Sequence, residues 1–123
     1  MVELTTPNRV AKFGGTSVQD HTAMEHVAAI VQSNPKGLVV VLSAMAKITD
    51  LLLEAAHAAV RGESYSTQQA TFSQRHRDAT AGLIKNAARR RKLDQKIEAA
   101  TTELGAICQS LATLREHTPV SYT

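Results

Sequence analysis

Lys12, Gly14, Gly15, Thr16 and Ser17 fall within one short stretch, Val10-Ala-Lys-Phe-Gly-Gly-Thr-Ser-Val18. It combines a cation, two glycines and two hydroxyls. Such a set suits phosphate: glycines let the backbone approach closely, and successive amides form an anion-binding nest. The lysine precedes the glycines, so the GxxxxGK[ST] spacing of a Walker A loop is absent. A second polar group follows an apolar run. Ser43-Ala-Met-Ala-Lys-Ile-Thr49-Asp50 places hydroxyls and a cation just ahead of a helical pattern.

These groups need elements to hold them. Val10 to Phe13 reads as a strand broken at Gly14-Gly15. Leu38-Val-Val-Val-Leu42 is a continuous apolar run, as expected of a strand buried on both faces. Met24, Val27, Ala28 and Val31 mark one face of a helix between them, with a stop near Asn34-Pro35. The order is strand, Gly-rich turn, helix, strand, hydroxyl-bearing turn, helix. In a parallel α/β sheet both turns emerge at the carboxyl ends of their strands, where ligands bind.

Lys12-Phe-Gly-Gly-Thr-Ser-Val18 followed by Val41-Leu-Ser-Ala-Met-Ala-Lys-Ile-Thr-Asp50 resembles the start of an aspartokinase, in the amino-acid kinase family. The specific motifs cover residues 9 to about 60. From there to about 118 only helical character supports the likeness. The resemblance implies an α/β class: a partial amino-acid kinase fold, with parallel strands, flanking helices and a helical excursion after the second strand. It implies ATP-dependent phosphorylation of the L-aspartate side-chain carboxylate, the first step of lysine, threonine and methionine biosynthesis.

The same resemblance assigns roles. Lys12 contacts the transferring phosphoryl group, and Phe13, Gly14, Gly15, Thr16 and Ser17 line the phosphate path. Ser43 and Ala44 sit beside the acceptor, and Thr49 binds aspartate. Mg²⁺ accompanies ATP, held mainly through its phosphates, with no protein metal ligand. Phosphoryl transfer needs little covalent help from protein, so positioning and neutralisation of oxygen charge supply most of the catalysis. A helix start near Thr49 presents free amides to a carboxylate.

Simpler readings exist for the same residues. A lysine ending a strand is commonly solvated, and a lone Gly-Gly is commonly a turn. Ser17 and Thr49 both precede helical stretches and suit N-caps, each worth about 1 kcal/mol. Lys47 reads as solvent-facing. The ordered coincidence of both turns favours the functional reading.

Beyond the second turn, Leu52, Ala55, Ala56, Ala59 and Val60 give a helix ending at Gly62. A less regular helix is expected over 66–88, and Ile97, Ala100, Leu104, Ile107, Leu111 and Leu114 mark a fourth. Gly62-Glu-Ser64 and Arg89-Arg-Arg-Lys92 read as hinges. The 123 residues suffice for one modest core. The resemblance implies a longer complete enzyme, with a nucleotide-binding half and regulatory domains. Residues 1–123 therefore read as the amino-terminal part of its catalytic domain, from a truncated gene product or a shortened paralogue. Val120-Ser121-Tyr122 matches only the opening of a family acceptor segment.

Composition sets limits. Aromatics are 3% and tryptophan is absent, so stacking platforms for nucleic acid are not expected. The net charge is +3, with much of the excess in Lys85 and Arg89 to Lys92. That cluster suits a solvated helix end. The alternative to a kinase is a non-catalytic, basic, helix-rich interaction module retaining kinase-like loops. Cys108 lies on the apolar face of the fourth helix and reads as a core residue. The five histidines form no metal constellation. No transmembrane or signal segment is visible, so a cytoplasmic location is the default. Two strands leave an open sheet edge, through which homo-oligomerisation is expected.

Overall fold

The computed structural model describes residues 9–34 and 36–117; Val120-Ser121-Tyr122 and Pro35 lie outside them. The chain divides into two compact units, one ending at Lys47 and the other beginning at Ile48. The class is the expected one, α/β with parallel strands and flanking helices.

The first unit holds β1 (Arg9–Phe13), a single 3₁₀ turn (Gly15–Val18), α1 (His21–Ser33) and β2 (Leu38–Leu42). β1 and β2 pair in parallel, with Arg9 opposite Leu38 and Phe13 opposite Leu42. Side chains alternate across a strand, so Ala11, Phe13, Leu38, Val40 and Leu42 share one face. Val10, Lys12, Val39 and Val41 share the other. α1 begins where Asp20 Oδ1 accepts the Ala23 amide at 2.8 Å, an N-cap. It ends at Asn34, as the Asn34-Pro35 signal predicts.

β2 departs from its expected burial. An apolar run of this kind usually has both faces covered, yet Val39, Val41 and Leu42 are exposed, Leu42 at 58%. The sheet among the described residues has two strands, and α1 does not close fully over its own side. An apolar groove of about 520 Å³ remains between Met24, Val27 and Val31 of α1 and Val40 and Leu42 of β2. Among the described residues of this unit, Val18, Val27 and Met45 are buried.

The described residues of the second unit form helices joined by short turns: α2 (Ile48–Val60), α3 (Ser66–Leu83) and α4 (Ala87–His117). Its core is made of small residues. Ala55, Ala59 and Cys108 are fully enclosed, with Tyr65, Leu104 and Leu111 packed around them. Alanines on α2 let the neighbouring helix approach closely, which is how a tight contact forms without large side chains. α3 is tied to α4 by Gln69, whose Nε2 donates to the Thr101 carbonyl at 2.9 Å.

α2 stops as expected at Gly62. The Gly62 amide donates to Ala59 O at 3.1 Å and the Glu63 amide to Ala58 O at 2.8 Å. This is a Schellman pair, and the Gly62 φ of +75° is the left-handed conformation it requires. The later helices correct the sequence reading. α3 ends at Leu83, short of 88, and α4 starts at Ala87. The break lies at Ile84-Lys85-Asn86, not at the basic run. Asn86 Oδ1 accepts the Arg89 amide at 3.0 Å, capping α4. Arg89 to Lys92 thus form helix, not a hinge. Arg90 folds back, donating from Nε and Nη2 to the Ile84 carbonyl at 3.0 and 2.8 Å.

Candidate functional site

The Gly-rich turn and the serine-bearing turn lie side by side in the first unit because β1 and β2 run parallel. Pairing continues past the strands. The Ser43 amide donates to Phe13 O at 3.0 Å, and the Ala46 amide donates to Gly15 O at 3.1 Å. Backbone groups of the first turn therefore hold the second in register.

The two glycines serve different ends. A Cβ on Gly15 would sit 3.2 Å from Ala46 Cα and 3.4 Å from the Ala44 carbonyl, whereas one on Gly14 would meet nothing within 4 Å. Gly15 permits the close approach of the turns. Gly14 is the open position, where the backbone faces free space. The Ser17 amide returns to Gly14 O at 3.0 Å, closing the 3₁₀ turn.

Side chains divide between the faces. Lys12 is exposed and opposite Val41 in register, so it belongs to the open sheet face. Phe13, Thr16 and Ser17 line a cavity of about 300 Å³ together with Ala23, His26 and Ile30 of α1. Ser43 lines the larger apolar groove. Gly15, Ser43 and Ala44 are brought together by the backbone. Lys12 stands on the other side of the sheet from Phe13.

Two cap assignments are corrected. Ser17 lies inside the 3₁₀ turn, and Asp20 caps α1 instead. Thr49 is the second residue of α2, since Ile48 already has helical pairing. Thr49 is exposed on the first turn of that helix, with Asp50 placing a carboxylate there. That charge complements the positive helix end.

The sequence reading missed the backbone at Lys47. Its φ of 68° is the one positive value at a non-glycine among the described residues. Such a conformation is uncommon for a side chain without an Asn-like local bond. Lys47 is exposed, as expected, and immediately precedes α2. No sequence pattern signals it, because lysine is not a left-handed residue by preference.

Among the described residues no group of three His, Cys, Asp or Glu side chains is placed to hold a metal ion. In the helical unit, burial pushes the Cys108 thiol above its ordinary value of 9.0, keeping it neutral and unreactive. The expected core role of Cys108 is what the structure has.

Comparison with known proteins adds three relatives and a family. A family model described as the amino acid kinase family matches residues 8–116. The chain is 56% identical over 48 residues to a Haemophilus influenzae protein named as a candidate inactive aspartokinase 3, spanning 39% of this chain and 40% of that one. It is 50% identical over 56 residues to the lysine-sensitive aspartokinase 3 of Escherichia coli, covering 46% of this chain and 12% of the relative. The Arabidopsis thaliana bifunctional aspartokinase/homoserine dehydrogenase 1, a chloroplastic protein, is 35% identical over 77 residues, covering 61% and 8%. The chain thus spans less than half the length of each of these relatives.

Proposed function

The chain belongs to the amino acid kinase family, and from that premise we propose that it carries the phosphate and acceptor turns of an aspartate kinase. The observation that carries this reading is the clamp between the turns, the Ala46 amide on Gly15 O at 3.1 Å. It makes one surface of two loops that the motifs assign to the two substrates.

In this reading a carboxylate oxygen of L-aspartate attacks the γ-phosphorus of ATP. The bond from that phosphorus to the β,γ-bridging oxygen breaks, leaving ADP and 4-phospho-aspartate. Lys12 neutralises charge on the phosphoryl oxygens. The amides of Gly14 and Gly15 orient the phosphates, while Phe13, Thr16 and Ser17 shape the turn from the side of the sheet opposite Lys12. Ser43, Ala44 and Thr49 hold the aspartate. Magnesium supplies charge neutralisation when it arrives with ATP. Each contribution is one of positioning or electrostatics, which suits phosphoryl transfer.

Residues 1–123 correspond, in this proposal, to the amino-terminal part of the catalytic domain and are incomplete alone. The reaction then needs the nucleotide-binding half from elsewhere. Among the described residues no helix is long and apolar enough to cross a membrane, and a cytoplasmic enzyme of amino-acid biosynthesis is the proposed setting.

The test is a chimera in which residues 9–60 replace the matching segment of the Escherichia coli relative. The expected result is aspartate-dependent ADP release. Lys12→Ala should reduce kcat by about 100-fold or more, and Thr49→Ala should mainly raise the KM for aspartate. Wild-type turnover in both variants would sink the assignment.

A second reading, a non-catalytic basic interaction module, is favoured by the resemblance to a relative named as inactive. Arg89, Arg91 and Lys92 are exposed and available to an acidic partner. Replacing all three with alanine should then weaken that partner's binding while changes at Lys12 leave it intact.

A further inference from the structure

α4 carries apolar residues at spacings of four and three along most of its 31 residues, the heptad pattern of helices that pair lengthwise. The two halves of the pattern have different fates. Ile97, Leu104 and Leu111 are half-buried, and the last two pack on Ala55, Ala59 and Cys108. Leu93, Ile107 and Leu114 are not covered, with Ile107 at 52% and Leu114 at 61% exposure. Beside Ile107 an apolar cavity of about 300 Å³ opens among Leu52, Ala56, Phe72, Ala100 and Leu104. Lys96 and Glu103 flank the open stripe. Both are exposed, and neither makes an ion pair or side-chain hydrogen bond among the described residues.

We propose that the occupant of this stripe is a second copy of the chain, docked α4 against α4, antiparallel, about a twofold axis at Ala100. A closed dimer needs a surface complementary to itself, and this stripe is one. Antiparallel pairing about Ala100 sets Leu93 against the partner's Ile107, beside the apolar cavity. It sets Lys96 next to the partner's Glu103, and Glu103 next to the partner's Lys96. Ala100 meets its own copy on the axis, where a small side chain lets two helices approach. The span from Leu93 to Ile107 is about 21 Å of helix, with both charge pairs inside it.

Parallel pairing fits less well. It brings Lys96 beside the partner's Thr101 and Glu103 beside the partner's Cys108, leaving both charges without a counterpart. The opposite signs at Lys96 and Glu103 therefore choose the orientation, while the apolar residues supply the burial.

The test is sedimentation equilibrium of the full chain. The expected wild-type result is a concentration-dependent dimer. Lys96→Glu and Glu103→Lys alone should each weaken it roughly tenfold or more, because each places like charges at both rim positions. Mixing the two variants should restore wild-type affinity, since the mixed dimer faces two glutamates with two lysines. Leu93→Glu should abolish association with helicity unchanged, because Leu93 is already partly in solvent. Ala100→Cys should form a disulfide with its own copy under mild oxidation, with buried Cys108 taking no part. A wild-type monomer at several hundred micromolar would overturn the proposal. So would a dimer indifferent to the charge reversals, or one lost on Val39→Lys and kept in Leu93→Glu, which would assign association to the sheet.

Discussion

The sheet unit and the helical unit solve the burial problem differently. The helices close their own core: Ala55, Ala59 and Cys108 are at most 1% exposed, and three elements surround them. The sheet unit buries Val18, Val27 and Met45 but leaves most of its strand apolar surface open, with Val39, Val41 and Leu42 exposed. Val10 is 67% exposed, and a groove of about 520 Å³ separates α1 from β2. A two-stranded sheet with one helix lacks the layers that a stable α/β core needs. The groups suited to phosphate chemistry lie mainly in the less enclosed unit. The better enclosed unit contributes Thr49 and a long helix with one stripe uncovered. Burial and candidate chemistry are thus largely divided between different parts of the chain.

The largest effect expected from this contrast is at Gly15. Gly15→Val drives a branched side chain into the Ala46 backbone and should destabilise the sheet unit by about 2 kcal/mol. Hydrogen exchange should then speed up at Ser43 and Ala46, while the amides of α2 and α4 keep their protection. Equal acceleration in both units would break the comparison, making the chain one cooperative body.

The helical unit should respond at Cys108. Cys108→Ser places a hydroxyl in an apolar core and should cost about 1–2 kcal/mol, read as a lower midpoint of the helical transition. The thiol also supplies a pH dependence. Its pKa is raised in the folded state, so the native protein holds the proton more tightly than the unfolded chain. Stability from this source is intact below 9.0 and falls as pH rises beyond it toward the folded value. Cys108→Ala should remove that part of the slope; an unchanged slope would mean the thiol is not enclosed.

Smaller effects sharpen the contrast by location. Asp20→Ala and Asn86→Ala each remove a helix cap and should cost about 1 kcal/mol. The first should loosen only α1, and the second only the start of α4, as followed by exchange at Ala23 and Arg89. The smallest change is at Lys47. Lys47→Gly relieves a left-handed lysine but loosens the unfolded chain, for a net gain of roughly 0.5 kcal/mol. A loss of stability there would show that the lysine side chain makes a needed contact.

Local chemistry made much of this readable. The Gly-rich turn, the Asn34 stop and the Gly62 terminus each depend on a few adjacent residues, and each stands where the sequence places it. The 3.6-residue pattern of α2 and α4 likewise identifies Ala55 and Cys108 as core. The misreadings have nonlocal causes. Leu38 to Leu42 has the composition of a doubly covered strand, but cover comes from other elements, and composition cannot report their presence. Arg89 to Lys92 looks like a charged hinge until Asn86 caps the helix before it and Arg90 reaches back to Ile84 O. Thr49 and Ser17 are both good cap residues, but the start of each helix was set elsewhere, at Lys47–Ile48 and at Asp20.

What the sequence by itself determined is the order of elements, the identity of the two polar turns and the family those turns signal. These follow from short-range rules: side-chain periodicity, glycine conformation and capping. Only the tertiary structure decided that Gly15 is a point of close approach while Gly14 is open. It also decided that Lys12 faces away from Phe13, Thr16 and Ser17, and which half of the α4 heptad is left uncovered. Those outcomes depend on strand pairing and helix packing between residues far apart in the chain, where the geometry of the partner, rather than the residue's own preference, sets the result.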